Sequence, residues 1–338
     1  MMPVALPTKS CKSRCFEVES EALQKDLQSK KPPTVRKEGS EHAMMLNIQA
    51  RAKINWTLDV VGTLPNGYHD LDMLMQSVTL CDQMTMQPAQ ELTLSVRTAG
   101  GAFVPADESN LVLRAARALQ EERGATGGAA ITLRKFIPVA AGMGGGSSDA
   151  AATLHGLNRL WGLGLDTEEL ERIGLGIGAD VPFCVRGGLA RAQGVGERLT
   201  SIALGKPLYL VAFQPCRGLS TKEVFTALHE QGIRDEDRPD NEAARRALEC
   251  GNVRLLARSL GNVLEPVSRQ MRPEIDRAIR AIEAAGAEGA RMTGSGSAVF
   301  GVFRHAGLCQ KAYQTLREAY PSCRMMRTAE SGVVIEET

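Results

Sequence analysis

The chain is poor in aromatic residues, which make up 4% of its 338 positions, and it carries no excess charge of either sign, with a formal net charge of +1. Single-strand nucleic-acid binders need stacking platforms, and polyanion binders need a basic face. Neither is provided for, so nucleic acid is not an expected partner. No apolar run approaches the roughly 18 residues that span a bilayer, so no membrane partner is expected either. Eight cysteines stand at positions 11, 15, 81, 184, 216, 250, 309 and 323. None forms a CxxC pair, and the five histidines are dispersed, so no metal centre is expected. Cys81, Cys184 and Cys216 lie in apolar or strand-like contexts and read as small buried hydrophobes. That usage fits a reducing compartment, and the expected location is the cytoplasm.

What is present is a chain long enough for two domains, 43% hydrophobic and 23% charged. Residues 1–43 stand apart, with eight Lys/Arg, six Asp/Glu, the pair Pro32-Pro33 and little periodicity. They lack an apolar signal core, and their acids argue against a transit peptide. The reading is a disordered or non-native N-terminal extension, with Met44 or Met45 as a candidate natural start.

Order is expected from Leu46 on. Asn47–Val61 reads as one or two short strands with a polar interruption at Ala50–Lys53. Pro65–Asp70 is a turn, and Met73–Leu80, Glu91–Arg97 and Ala129–Phe136 are strands. Helices are expected over Asn110–Glu122, Ser148–Trp161 and Thr167–Gly174, the last with Thr167 as its cap. Further strands fall at Leu189–Val195, Leu208–Phe213, Val299–Phe303 and Gly332–Ile335. Further helices fall at Thr221–Gln231, Asn241–Cys250, Val253–Ser259 and Met271–Ala285. A composition shift at Gly205-Lys206-Pro207 divides an N-terminal domain, 44–205, from a C-terminal domain, 206–338. The pattern is α+β in both halves, with a cleft between them.

The chemistry is concentrated in Pro138–Ser148, PVAAGMGGGSS, entered by a strand and left by a helix. Gly142, Gly144, Gly145 and Gly146 permit positive φ and let backbone amides converge on an anion, and the helix aims its positive end there. Ser147 and Ser148 can donate hydroxyls to phosphate or offer oxygen to magnesium. No lysine follows Gly146, so the Walker pattern fails. GxGxxG fails as well, because Ser147 and Asp149 stand where its last glycine belongs. Gly174–Ala179 does match GxGxxA, but it follows a helical pattern rather than the strand a dinucleotide site needs. Phosphoryl transfer also needs a cation and a group that orients the acceptor hydroxyl. Lys53 and Asp180 are the candidates, and spacing alone leaves open whether they meet.

Three blocks, Lys53-Ile54-Asn55, the glycine loop with its following Asp-Ala-Ala, and Met292–Ser297, resemble the galactokinase, homoserine kinase, mevalonate kinase and phosphomevalonate kinase (GHMP) superfamily. ARAKINWTLDVVGTLPNGYHDLDMLMQSVTLCD, ESNLVLRAARAL, GIGADVPFCVRGG and GVGERL narrow the likeness to the kinases of 4-diphosphocytidyl-2-C-methyl-D-erythritol. The resemblance runs from about Asn47 to the C-terminus.

It implies a two-domain GHMP kinase fold, with a ribosomal-protein-like N-terminal and a ferredoxin-like C-terminal domain around the active-site cleft. It also implies ATP with Mg2+ as cofactor and transfer to the tertiary 2-hydroxyl of the cytidyl substrate, a step of the non-mevalonate route to isopentenyl diphosphate. Asp180 is then the base or hydroxyl orienter and Lys53 its cationic partner. Pro138, Val139, Ala140, Ala141, Gly142, Met143, Gly144, Gly145, Gly146, Ser147 and Ser148 hold ATP. Tyr68 and Phe225 would sandwich the cytosine and His69 would read its edge. Asn55 and Thr221 would touch the substrate, and Gly294, Ser295 and Gly296 would close on the phosphates. Magnesium is left to Ser147, phosphate and water. Met143 replaces a usual leucine, and Trp56 is larger than usual beside Asn55, which would reshape the substrate wall. A monomer or homodimer is expected. Another GHMP kinase, or a non-catalytic nucleotide-binding regulator, are the rival readings.

Overall fold

Two long strands dominate the chain, β1 (Leu46–Thr63) and β2 (His69–Ala89), paired antiparallel along most of their length. They belong to a computed structural model that describes residues 44–65, 67–98, 102–124 and 127–338. The N-terminal extension of 1–43 and Asn66 of the expected turn lie outside the described residues. β1 begins with clean alternation, burying Leu46, Ile48 and Ala50. From Ala52 to Val60 every residue is buried, because both faces are covered, and the period-2 signal vanishes. Register shifts at Arg51/Lys53, Asn55/Thr57 and Val60/Gly62 bend the ribbon. The polar interruption expected at 50–53 is therefore a bulge within one strand, and the strand expected at Met73–Leu80 is the middle of a longer one.

The chain continues through β3 (Leu92–Thr98), α1 (Leu111–Arg123), β4 (Gly128–Lys135), α2 (Gly145–Leu160), α3 (Thr167–Leu175), α4 (Val181–Arg186), β5 (Leu189–Gly194) and β6 (Arg198–Ile202). It then forms β7 (Tyr209–Phe213), α5 (Thr221–Gln231), α6 (Asn241–Glu249), α7 (Val253–Ser259), β8 (Gly261–Asn262), α8 (Glu265–Met271) and α9 (Pro273–Ala284). The last elements are β9 (Gly289–Met292), β10 (Val299–Phe303), α10 (Ala306–Ala319), β11 (Arg324–Arg327) and β12 (Val333–Glu337).

The first sheet runs β12-β1-β2-β4-β3, with β5 on the other half of β2, β6 on β5, and β8 on β1. The second runs β11-β7-β10-β9, all antiparallel. The second sheet lies wholly after residue 206, yet β8 and the C-terminal β12 return to β1.

α2 lies close against the first sheet because its inward face is small. Ala150, Ala151 and Ala152 are fully buried, and a Cβ on Gly156 would come 2.5 Å from Ile48 Cδ1 and 2.6 Å from Met86 Sδ. Three local expectations need correction. α3 is capped by Asp166, not Thr167, in a capping box with Glu169. The helix expected over Met271–Ala285 is α9, which starts at Pro273 because proline suits the first helical position, while Met271 ends the separate helix α8, which was not expected. Helix α10, with Cys309, Ala312 and Leu316 buried on one stripe, was not expected at all.

Candidate active site

β4 delivers the chain into the glycine loop, and α2 leaves it. Gly144 caps α2 in the left-handed region at φ 70°, with no side chain bonded to the helix end. The first amides of any helix lack an intrahelical acceptor, so those of Gly145, Gly146 and Ser147 face outward as donors. That is an anion cradle. Glycine at 144 is also forced sterically, since a Cβ there would meet Lys53 Cγ at 2.9 Å.

Ser148 departs from its expected role as a phosphate donor. Its hydroxyl donates to Arg51 O at 2.7 Å and Gly144 O at 3.0 Å, its amide to Gly144 O at 2.8 Å, and it is buried. It pins the loop to β1. Ser147 is half-buried and its hydroxyl has no such commitment.

Lys53 enters from β1. Its amide donates to Met143 O at 3.0 Å, and its stem runs under Gly144. Its ammonium donates to Asn55 Oδ1 at 2.8 Å and lies 3.4 Å from Asp180 Oδ2. The Lys53 side chain is 5% exposed and that of Asp180 35%, so the cation is buried and the carboxylate open to a substrate. Asp180 stands at the N-terminus of α4, yet its side chain makes no capping bond and stays turned to Lys53. Behind it on α4, burial and then the Asp180 charge push the Cys184 thiol up to about 12, so this thiol is inert.

The second glycine turn, Thr293–Ser297, docks on the first. A Cβ on Gly142 would sit 2.2 Å from Thr293 O, and one on Gly294 would sit 2.9 Å from Gly142 O, so both turns must be bare backbone where they touch. Ala298 N–H donates to Ala141 O at 3.0 Å, and Asn55 N–H to Thr293 Oγ1 at 3.0 Å. Asn262, which the sequence reading did not single out, donates to Met292 O at 3.0 Å and Gly294 O at 2.8 Å and so shapes the turn. No local motif marks it. Thr221 and Ser295 share a hydroxyl hydrogen bond of 2.9 Å.

At the other end of the site, His69 stacks on Phe225 with ring centroids 4.5 Å apart and planes 16° from parallel. Tyr68 beside it is exposed. The ring facing Phe225 is thus His69, not Tyr68. Burial, and then the neighbouring His229, hold the His69 imidazole below its ordinary value, which favours the neutral ring. Trp56 does not line this site. It is buried on the opposite side of β1 from Asn55, edge-on to Phe300 at 5.5 Å.

Among the described residues no three or more His, Cys, Asp or Glu side chains are grouped to hold a metal, and no helix is long and apolar enough to cross a membrane.

Residues 110–188 match the family described as GHMP kinases N terminal domain, and residues 242–322 match GHMP kinases C terminal. The chain is 42% identical over 276 residues to the 4-diphosphocytidyl-2-C-methyl-D-erythritol kinase of Exiguobacterium sibiricum, covering 81% of this chain and 94% of that one. It is 38% identical over 283 residues to the enzyme of that name from Alkaliphilus metalliredigens, covering 84% and 96%. A crystal structure of 4-(cytidine 5'-diphospho)-2C-methyl-D-erythritol kinase superposes with a TM-score of 0.71 at 34% identity, over 84% of this chain and 99% of that one. A homoserine kinase from Cytophaga hutchinsonii, at 18% identity and a TM-score of 0.67, shares the fold.

Proposed function

The chain belongs to the 4-diphosphocytidyl-2-C-methyl-D-erythritol kinase family of GHMP kinases, and from that premise we propose how its residues divide the work. The reaction is ATP-dependent phosphorylation of the 2-hydroxyl of 4-diphosphocytidyl-2-C-methyl-D-erythritol, within the non-mevalonate route to isopentenyl diphosphate. One observation carries the assignment of roles: the Lys53 ammonium lies 3.4 Å from an open Asp180 carboxylate, while the same lysine's amide and stem are fastened to the glycine loop.

The loop 138–147 holds the ATP phosphates through backbone amides at the start of α2. Asp180 accepts the hydrogen of the acceptor hydroxyl and aims its oxygen at the γ-phosphorus. A tertiary alcohol is a weak acid, so alignment matters more than full proton removal before attack. Lys53 faces the charge that develops on the transferred group, and Asn55 fixes the lysine by accepting from it. Magnesium would neutralise phosphate charge. The oxygens suited to it are the phosphates, water and the Ser147 hydroxyl, a hard donor set. Phe225, His69 and Tyr68 take the cytidine. His69 supplies a neutral edge and must leave the face of Phe225 for a base to stack there. Thr221 and Ser295 flank the acceptor end. The buried thiols Cys184, Cys309 and Cys323 suit a reducing cytoplasm.

Incubating the purified chain with magnesium-ATP and each of three acceptors tests this reading. The cytidyl substrate should give its 2-phosphate and ADP, and mevalonate and homoserine should give nothing comparable. Preferential use of either of those two overturns it.

A further inference from the structure

Below the glycine loop lies a charged cluster that the transfer chemistry does not use. Lys135, the last residue of β4, sends its ammonium between two carboxyl groups, Asp82 on β2 and Asp149 one turn into α2, 2.5 Å from Asp149 Oδ2. All three side chains are at least nine-tenths buried. Asp82 Oδ1 also accepts the amides of Phe136 and Ile137, at 2.5 and 2.8 Å, where the chain turns from β4 into the loop. The ammonium abuts the start of α2, since a Cβ on Gly145 would come within 3.2 Å of Lys135 Nζ.

One cation cannot neutralise two buried carboxylates, and an unpaired buried charge is costly. The hydrogen bonds distinguish the two. Asp82 has the ammonium and two amides as donors. Asp149 has the ammonium at Oδ2, while its buried Oδ1 has no partner. Both carboxyl groups meet the same ammonium, so the cluster is held together by Lys135.

We propose that Lys135 is a positioning residue of the nucleotide site, tying the strand that enters the phosphate loop to the helix that leaves it, with Asp82 and Asp149 as its buried partners. Burial alone would lower the Lys135 ammonium, and its two carboxyl partners raise it instead. Fixing both ends of the loop sets the spacing of the amides at 145–147. This role rests on the reading of that loop as the ATP grip.

The test uses the full chain with Lys135→Met and Asp82→Asn. Misalignment of a phosphate site by a fraction of an ångström to an ångström can cost up to about 100-fold. Lys135→Met and Asp82→Asn should therefore lower kcat/KM for ATP by about 10- to 100-fold and leave KM for the acceptor unchanged. A role in stability alone would weaken both substrates together, so the split between the two KM values is the decisive readout. The proposal is overturned if Lys135→Met leaves the ATP parameters intact, or if KM for the acceptor rises as much as KM for ATP. Should Lys135→Met not fold, Asp82→Asn decides on the same two readouts. If the wild type uses no ATP at all, it is the functional reading that fails.

Discussion

Replacing Gly142 with alanine should separate the two glycine turns. The residue sits at φ 78°, and its added Cβ would lie 2.2 Å from Thr293 O and 3.1 Å from Gly296 N. Holding a non-glycine residue in the left-handed region costs roughly 1–2 kcal/mol. The clash is with backbone on both sides, so no rotamer relieves it, and overpacking of this kind adds about 1–3 kcal/mol. The sum is smaller than the total stability of a typical domain, about 5–15 kcal/mol, so the chain should fold with the Thr293–Ser297 turn displaced. At roughly 2 °C per kcal/mol the melting temperature should fall by about 4–10 °C. kcat/KM for ATP should fall with it, because Asn55 and Ala141 lose their bonds to the turn. Gly146→Ala is the comparison. Its Cβ meets only Leu111 Cδ1 at 3.4 Å, its φ is not positive, and alanine favours the helix by about 1 kcal/mol. It should melt at or slightly above wild type. Thermal denaturation and ATP titration of both variants check the argument. A Gly142→Ala protein with the melting temperature and ATP KM of the wild type would show that the turns do not meet as described.

Phe225→Ala should raise KM for the cytidyl acceptor by about tenfold, the scale of one aromatic stacking contact, and leave KM for ATP unchanged; initial-rate kinetics with each substrate varied separate the two. His155 should make the protein less stable in acid. Burial holds its imidazole below 6.5, partly offset by the hydrogen bond to Val185 O, so the fold favours the neutral ring. That stabilisation is complete above the unfolded value near 6.5 and is lost as pH falls through the lower folded value. His155→Gln keeps a donor to Val185 without titrating, so urea midpoints measured from pH 7 to 5 should fall less steeply than in wild type.

Much of the site was legible because its parts are local. Four glycines and two serines between a strand and a helix mark the loop, and its helix start, without tertiary information. α7 and α5 match their expected spans, and α1 and β4 theirs within a residue, because each carries its own periodicity and punctuation. β1 was harder. Its central residues are covered on both faces, and its bulges reset the alternation just where Lys53 must turn inward. The inward turn of Ser148 was hidden because its acceptors, Arg51 O and Gly144 O, belong to different elements. Between Lys53 and Asp180 lie the rest of β1, three further strands and three helices, so their proximity could only come from the fold. Asp82 lies 53 residues before Lys135 in the chain, and only the pairing of β2 with β4 brings it under the loop. Trp56 was misjudged for the converse reason. It neighbours Asn55 in sequence, but successive residues of a strand face opposite ways.

The central claim is that Asp180 orients the acceptor hydroxyl toward phosphates held by the glycine loop. Single-turnover transfer from γ-labelled ATP to the cytidyl acceptor, measured with Asp180→Asn beside the wild type and paired with ATP binding by calorimetry, tests it most directly. The account predicts that transfer falls by about 100-fold or more, the scale of a lost acid–base group, with ATP affinity retained. An Asp180→Asn protein that transfers at the wild-type rate would contradict it.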